Sequence, residues 1–162
     1  MLTGNYKTLA DNLKKNLNSC YKFCITMDNN GLSKALGCSM KEQCRTDMII
    51  TSLYFSMADG VVRDAEAELL NHLFDTHLPA SEYQRIYENA NIDRAAFFSR
   101  KIMTLEIAKI LDDTFNLGNC VGIFINLFVN TAKAIISIDG DADNEELASI
   151  ATFQANLERK FL

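Results

Sequence analysis

The chain has 162 residues, a length typical of one domain with a core of its own. One Pro, seven Gly and long stretches with helical spacing leave little room for strands, so the composition predicts an all-α protein. A net charge of −5 with dispersed basic residues lacks the basic patch of nucleic-acid modules, which argues against nucleic acid as a partner.

The N-terminal sequence and the cysteines both indicate a cytoplasmic protein. The first fifteen residues have no apolar segment behind a basic start, so they do not form a secretory signal. Five cysteines form no CxxC pair, and an odd number without a signal indicates reduced thiols. Cys20 and Cys24, one helical turn apart, are interpreted as packing residues rather than a metal or redox pair.

The first predicted element is a long amphipathic helix from about Asn5 to Met27. Asp28-Asn29-Asn30-Gly31 favours a turn and ends it, and Leu32 to Leu36 is short enough for a single-turn connector. The apolar stripe of the long helix comprises Leu9, Leu13, Leu17 and Tyr21.

A second long helix is predicted from Met40 to Ala58, apolar on several sides, and an acidic turn follows it. The next helix runs from Ala65 to Phe74, and Leu78-Pro79 is expected to close it, because the residue before Pro is pushed out of the α region.

Two capping signals predict where helices begin in the middle of the chain. Ser81-x-x-Gln84 resembles a capping box for a short helix that ends near Glu88. Asp93 is placed to cap a further helix that carries Phe97, Phe98, Ile102 and Met103, with a turn before a last piece from Leu105 to Leu111.

The run from Cys120 to Ile138 is the only candidate for a membrane span. Asn126, Asn130 and Lys133 interrupt it, so we predict a buried core helix and no transmembrane segment. Peripheral membrane association stays an open alternative. A final helix is predicted from Glu145 to Leu157.

A short acidic pattern occurs twice, eighty residues apart. Asp59-Gly60 is followed by Glu66, and Asp139-Gly140 by Glu146, each time between two helical segments. When the two halves are aligned at this offset, similar residues are paired at Ile49/Val129, Thr51/Thr131, Phe55/Ile135, Leu70/Ile150 and Leu73/Phe153. In the same alignment Leu53 is paired with Lys133. The sequence therefore predicts one domain over residues 1–162, a bundle of about seven to nine helices with an internal pseudo-twofold repeat.

The requirements of helix ends and helix caps explain part of this pattern. Gly60 and Gly140 supply the left-handed residue that commonly follows a helix end. Asp143-x-x-Glu146 matches a capping box, whereas the first copy has Arg63 at the equivalent place and is expected to cap with Asp64.

The two aspartates require a further explanation. Asp59 and Asp139 end their helices, where negative charge opposes the dipole by about 0.3–1 kcal/mol, so each needs a turn N–H, a cationic side chain or a metal. Together with Glu66 and Glu146 they form a candidate all-oxygen site for Ca²⁺, Mg²⁺ or Mn²⁺. The alternative is that these carboxylates serve only the turns and caps.

Signatures of catalysis and of EF-hand calcium binding are absent from the sequence. His72 and His77 form no HExxH pattern, and the chain has no Gly-rich phosphate loop. Asn144 and Ile150 stand where an EF-hand loop requires Gly and Glu. We therefore assign no catalytic residue.

The strings MADGVVRDAE, from Met57 to Glu66, and IDGDADNEE, from Ile138 to Glu146, resemble the two signature turns of the TerB-like tellurite-resistance family. The resemblance covers about residues 40–162 and leaves residues 1–39 as an N-terminal helical extension. It implies an internally duplicated all-helical fold and a cytoplasmic stress-response module linked to tellurite. It also implies metal binding by Asp59, Glu66, Asp139 and Glu146.

Two classes of function follow. In the first, the chain is a non-enzymatic stress-response domain whose acidic turns bind a divalent metal. In the second, the turns are purely structural and the chain is a protein-interaction or homo-oligomerisation module, whose N-terminal apolar stripe docks a partner or a second copy.

Overall fold

The computed structural model describes residues 4–138 and 142–162, and within these ranges the chain forms eight α-helices and no strand. The predicted all-α bundle of seven to nine helices is confirmed. The helices are α1 (Gly4–Asn29), α2 (Leu32–Leu36), α3 (Met40–Ser56), α4 (Asp64–Phe74), α5 (Ala80–Asn89), α6 (Met103–Phe115), α7 (Cys120–Ser137) and α8 (Asn144–Phe161). Two short 3-10 helices, Met57–Asp59 and Phe97–Ser99, follow α3 and precede α6.

Helix α7 is the centre of the bundle, as its apolar sequence predicts. It packs against α1, α3, α6 and α8. Its length and its mean hydropathy of 1.6 would fit a membrane span, but 72% of its residues are buried inside the protein. The structure therefore places α7 as a core helix.

Helix α1 belongs to the same core. Its apolar stripe faces α3, α4 and α7, with Leu13 and Leu17 buried. Lys14 fixes the helix from the side, since its ammonium group donates to the carbonyls of His72 and Leu73 at 3.0 and 3.1 Å. The chain itself covers most of this stripe, which leaves little of it open to a partner.

Aspartates at the ends of two helices hold the starts of the helices that follow. Asp28, near the end of α1, accepts the backbone N–H of Met40 at 2.8 Å. Asp112, near the end of α6, accepts the N–H groups of Cys120 and Val121, both at 2.8 Å. Each carboxylate lies near the negative end of its own helix and accepts N–H groups at the positive end of a later helix.

A third carboxylate, Asp47, does the same from the middle of α3. It is buried and accepts both the backbone N–H of Thr104 at 2.9 Å and the Thr104 hydroxyl at 2.7 Å. Gln43 donates to its other oxygen at 3.1 Å. Asp47 therefore caps α6, whose N-cap residue supplies no side-chain hydrogen bond of its own.

The range of α4 agrees with its prediction to within one residue, but the residues that end α4 and cap α5 differ from those predicted. Helix α4 ends at Phe74, as predicted, but the residue that ends it is Asp75, which takes a left-handed conformation with φ of 54°, and not Leu78-Pro79. Pro79 is instead the N-cap of α5, which begins at Ala80. The predicted capping box at Ser81 is therefore wrong, because Ser81 already lies inside the helix.

The segment after Asp93 also differs from its prediction. Asp93 accepts the N–H of Ala95 at 3.1 Å, as a cap does, but only a turn and the 3-10 helix Phe97–Ser99 follow. The break comes before Met103, and α6 then continues to Phe115 without the turn expected before Leu105. The start of α6 differs from its prediction because Asp47, which is distant in the sequence, caps this helix beside Thr104.

Cys20 and Cys24 are buried, as expected of packing residues. Cys38 is exposed, the other four are buried, and all five are free thiols. Burial raises the pKa of Cys20 to about 12 and that of Cys120 to about 12. These thiols therefore stay protonated near neutral pH.

The two halves keep a common pattern of burial. Helices α4 and α8 begin at residues eighty apart, Asp64 and Asn144. Both members are buried in four of the five pairs that the offset predicts, namely Thr51/Thr131, Phe55/Ile135, Leu70/Ile150 and Leu73/Phe153. In the fifth pair Val129 is buried and Ile49 is half-buried. A duplication would leave such a pattern, and the pseudo-twofold relation stays a prediction.

Replacing Asp47 tests the distant cap. Asp47→Ala should lower the free energy of unfolding by about 3 kcal/mol, because it leaves buried donors of Thr104 without an acceptor. The matched control is Asp113→Ala, which removes an exposed ion pair with Lys109 and should change stability by less than about 0.5 kcal/mol. Urea denaturation measures both, and equal losses would contradict the assignment.

Candidate functional site

A small cleft lies between the first predicted acidic turn and the start of α8. Its volume is about 10 Å³. The end of α3, the following 3-10 helix, the start of α4, the end of α7 and the start of α8 all contribute to it. Its lining residues are Phe55, Ser56, Ala58, Asp59, Glu66, Ile136 and Glu146.

Three of the four predicted metal ligands line this cleft. Asp59 and Glu66 come from the first acidic turn, and Glu146 comes from the second. The fourth candidate, Asp139, lies with Gly140 outside the described residues. Among the described candidates, the structure thus brings together carboxylates from both copies of the pattern, which lie far apart along the chain.

Two pairs of residues that line the cleft are separated by the same eighty positions in the sequence. Ser56 corresponds to Ile136, and Glu66 corresponds to Glu146. Each pair contributes one residue from each half of the chain. The two helical hairpins therefore present equivalent positions to a shared space, as the predicted duplication would require.

Asp59 has the partner that its unfavourable position calls for. Its Oδ2 accepts from Arg63 Nη2 at 2.7 Å and from Arg63 Nε at 3.1 Å, while its Oδ1 accepts the N–H of Val61 at 3.3 Å. Gly60 follows with φ of 89°, the left-handed residue predicted there. Because the ion pair is exposed, it contributes little to stability.

Glu66 is the buried carboxylate of the cleft, with 5% of its surface exposed. It is the third residue of α4, and its Oε2 accepts the backbone N–H of Arg63 at 3.2 Å. Arg63 therefore occupies the N-cap position, and the predicted cap by Asp64 is wrong. Glu66 bonds back to the cap residue instead, close to the positive end of the helix.

Glu146 has the equivalent place in α8 and is half-buried. Its backbone N–H donates to Asp143 Oδ1 at 2.8 Å, so the predicted cap by Asp143 is confirmed. The first turns of α4 and α8 thus both contribute a glutamate to the cleft. The positive ends of the two helix dipoles partly offset the negative charge gathered there.

Ser56 is the polar residue of the cleft that the sequence does not single out. It is 1% exposed, and its Oγ has no hydrogen-bond partner within the ranges that the structure describes. A buried hydroxyl without a partner is unfavourable, so this oxygen is available to a bound ion or water. The one hint in the sequence is its position three residues before Asp59.

The donors of the cleft are all oxygens, which suit the hard cations Ca²⁺, Mg²⁺ and Mn²⁺. Across residues 4–138 and 142–162, however, no three Asp, Glu, His or Cys side chains are arranged to hold an ion as they stand. The three carboxylates of the cleft therefore do not form a complete ligand set by themselves, and waters or small side-chain movements would have to complete it.

Comparison with protein-family models, with curated proteins and with solved structures finds no match for this chain.

The structural roles of the two acidic residues in the first turn can be separated by mutation. In the presence of a chelator, Asp59→Ala should lower the free energy of unfolding by less than about 1 kcal/mol, because its ion pair is exposed. Glu66→Ala should lower it by about 2 kcal/mol, since it removes a buried acceptor of a helix N–H. Urea denaturation compares them, and a larger loss for Asp59→Ala would contradict these roles.

Proposed function

We propose that this chain is a non-enzymatic TerB-like stress-response domain, associated with tellurite resistance, whose acidic cleft binds a divalent cation. The observation that supports the proposal is the convergence of Asp59, Glu66 and Glu146 on one small cleft. Carboxylates from two distant segments share this space, although neither segment needs the other in order to cap its own helix.

The size of the cleft favours an ion over an organic ligand. A volume of about 10 Å³ is close to that of a single water-sized sphere. Ca²⁺ and Mn²⁺ fit such a space when carboxylates and waters surround them, and Mg²⁺ usually keeps several of its waters. The hydroxyl of Ser56 adds a neutral oxygen to the residues that line the cleft.

Electrostatics favour a cation for the same reason. Three carboxylates in one cleft repel each other, and the repulsion grows where burial lowers the local dielectric, as it does around Glu66. A divalent ion would offset this repulsion directly. Arg63 already pairs with Asp59, so the ion has to compete with that guanidinium group, and we expect modest affinity.

The second candidate function is a protein-interaction module whose acidic turns are purely structural. Two contacts favour it: the ion pair of Asp59 with Arg63, and the cap of α8 by Asp143. Each gives an acidic residue of the turns a role that needs no metal. The response of the protein to divalent ions distinguishes the two candidates.

Thermal unfolding tests the cation directly. Ca²⁺, Mg²⁺ or Mn²⁺ at 100 times its Kd should stabilise the protein by about 2.7 kcal/mol, which raises the Tm by roughly 5–10 °C. The double variant Asp59→Asn/Glu146→Gln should lose this shift. Asp64→Asn should keep it, because Asp64 is an exposed acid beside the cleft that does not line it.

Two results would contradict cation binding at this cleft. One is a Tm that no divalent ion changes. The other is an equal shift in the wild type and in the double variant, which would place the ion elsewhere. Circular dichroism of the variants in chelator confirms that they are folded before the ion is added.

Growth in the presence of tellurite tests the stress-response role. A host strain that lacks the chain should become more sensitive to tellurite, and the wild-type chain should restore its tolerance. Asp59→Asn/Glu146→Gln should restore less than Asp64→Asn does. Failure of the wild type to protect would contradict the stress-response role, and full protection by the double variant would show that the cleft is not required for it.

A further inference from the structure

A groove of about 600 Å³ lies between α1 and the first half of α7. The acidic cleft lies near the other end of α7 and has a volume of only about 10 Å³. Sites for small organic molecules usually measure about 300–1,000 Å³. The groove therefore has room for an organic ligand, which the cleft does not.

The lining of the groove is mainly apolar. Phe23 on α1 faces Phe124 and Leu127 on α7, and the two phenylalanine rings meet edge to face with centroids 6.1 Å apart. Leu117 and Ile123 also line the groove and are 46% and 57% exposed. A ligand that covers these side chains removes apolar surface from water, which is favourable. A flexible alkyl chain has the matching chemistry.

The polar groups inside the groove are neutral. Within the described part of the chain, no Asp, Glu, Lys or Arg lines it. Its polar lining residues are three amides and a hydroxyl, namely Asn16, Asn119, Asn126 and Ser19. Because a charge is costly to bury without a partner, a charged part of a ligand belongs at the edge of the groove and not inside it.

Two lysines stand at the α1 edge of the groove. Lys15 and Lys22 are exposed and come directly before the lining residues Asn16 and Phe23. Each lies one helical turn from Ser19, which also lines the groove. Neither ammonium group has an ion-pair partner among the described residues. In a chain of net charge −5, this pair of unpaired cations provides local complementarity to an anion.

The nearby carboxylates are already engaged. Asp11, one turn before Lys15, lies 2.9 Å from His72 Nε2. Asp112, beside the start of α7, accepts the N–H of Cys120 at 2.8 Å and so occupies that end of the groove with negative charge. The favourable place for an anionic group is therefore the α1 edge, at the two lysines.

We propose that this groove binds a single-chain anionic amphiphile of the class of long-chain fatty carboxylates. The alkyl chain lies against Phe23, Phe124 and Ile123, and the carboxylate lies between Lys15 and Lys22. A bilayer surface matches less well, because a net charge of −5 opposes an anionic membrane and a recess encloses a free chain. The site is separate from the acidic cleft and does not depend on a cation.

Isothermal titration calorimetry with dodecanoate, below its critical micelle concentration and with a chelator present, tests the site. The wild type should bind one dodecanoate per chain with saturation. Butyrate, which has the carboxylate without the long chain, should show no measurable binding. Dodecyltrimethylammonium, which has the chain with a cationic head, should bind at least about tenfold more weakly, because it places like charges together.

Lysine variants test the position of the carboxylate. Lys15→Ala/Lys22→Ala should weaken dodecanoate by roughly threefold to tenfold, the range expected when two exposed charge contacts are lost. The same variant should bind dodecyl maltoside, whose head is neutral, like the wild type. Lys7→Ala/Lys34→Ala is the matched control, because it removes two exposed lysines that do not adjoin the groove, and it should keep the wild-type affinity for dodecanoate.

A variant of the apolar wall tests the position of the chain. Ile123→Asn should weaken both dodecanoate and dodecyl maltoside, since it replaces an apolar contact of the chain with an amide. Leu147→Asn is its control, because Leu147 is also the fourth residue of its helix and is 51% exposed, and it should leave both affinities unchanged. Circular dichroism confirms that each variant is folded.

Four results would overturn the proposal. The first is a wild type that shows no saturable binding of dodecanoate. The second is a lysine variant that binds dodecanoate as the matched control does, and the third is an Ile123→Asn variant with unchanged affinities. The fourth is binding to phosphatidylglycerol vesicles without binding to free dodecanoate, which would make this face a membrane contact.

Discussion

A carboxylate of one element that accepts the backbone N–H groups at the start of another helix is the interaction on which this fold depends. Asp28, Asp47 and Asp112 hold the starts of α3, α6 and α7 in this way. Two of these acids lie near the C-terminal ends of their own helices, where negative charge is unfavourable. Their hydrogen bonds to the start of a later helix offset this unfavourable interaction. The same bonds fix the positions of the helices around the central α7.

The same physics shapes the acidic cleft, but the pairing there is weaker. Glu66 and Glu146 lie in the first turns of α4 and α8, where the helix dipole favours them. Asp59 meets an exposed guanidinium group, that of Arg63, instead of a helix N-terminus. Ser56 has no hydrogen-bond partner among the described residues. The cleft thus combines concentrated negative charge with a hydroxyl oxygen that has no partner among the described residues, which is why we propose a cation there.

Local signals in the sequence predict much of this structure, and long-range contacts account for most of what they miss. The connector α2 has its predicted bounds, since Gly31 and Gly37 both take the left-handed conformation. The start of α6 is not predictable, because its cap, Asp47, lies 57 residues before Thr104. The repeat identifies three carboxylates of the cleft, but the burial of Ser56 follows only from tertiary packing. An apolar stripe on α1 likewise does not reveal whether its cover is the same chain or a partner.

The most direct test of the cation assignment is a crystal structure of the protein grown or soaked with Mn²⁺, whose anomalous signal locates the ion. We expect a peak in the cleft, with oxygens of Glu66 and Glu146 either within about 2.0–2.6 Å or linked to the ion through its waters. Both acidic turns would then contribute to one site. A cleft without a peak, at Mn²⁺ concentrations that raise the Tm, would contradict the assignment and leave the acidic turns with structural roles alone.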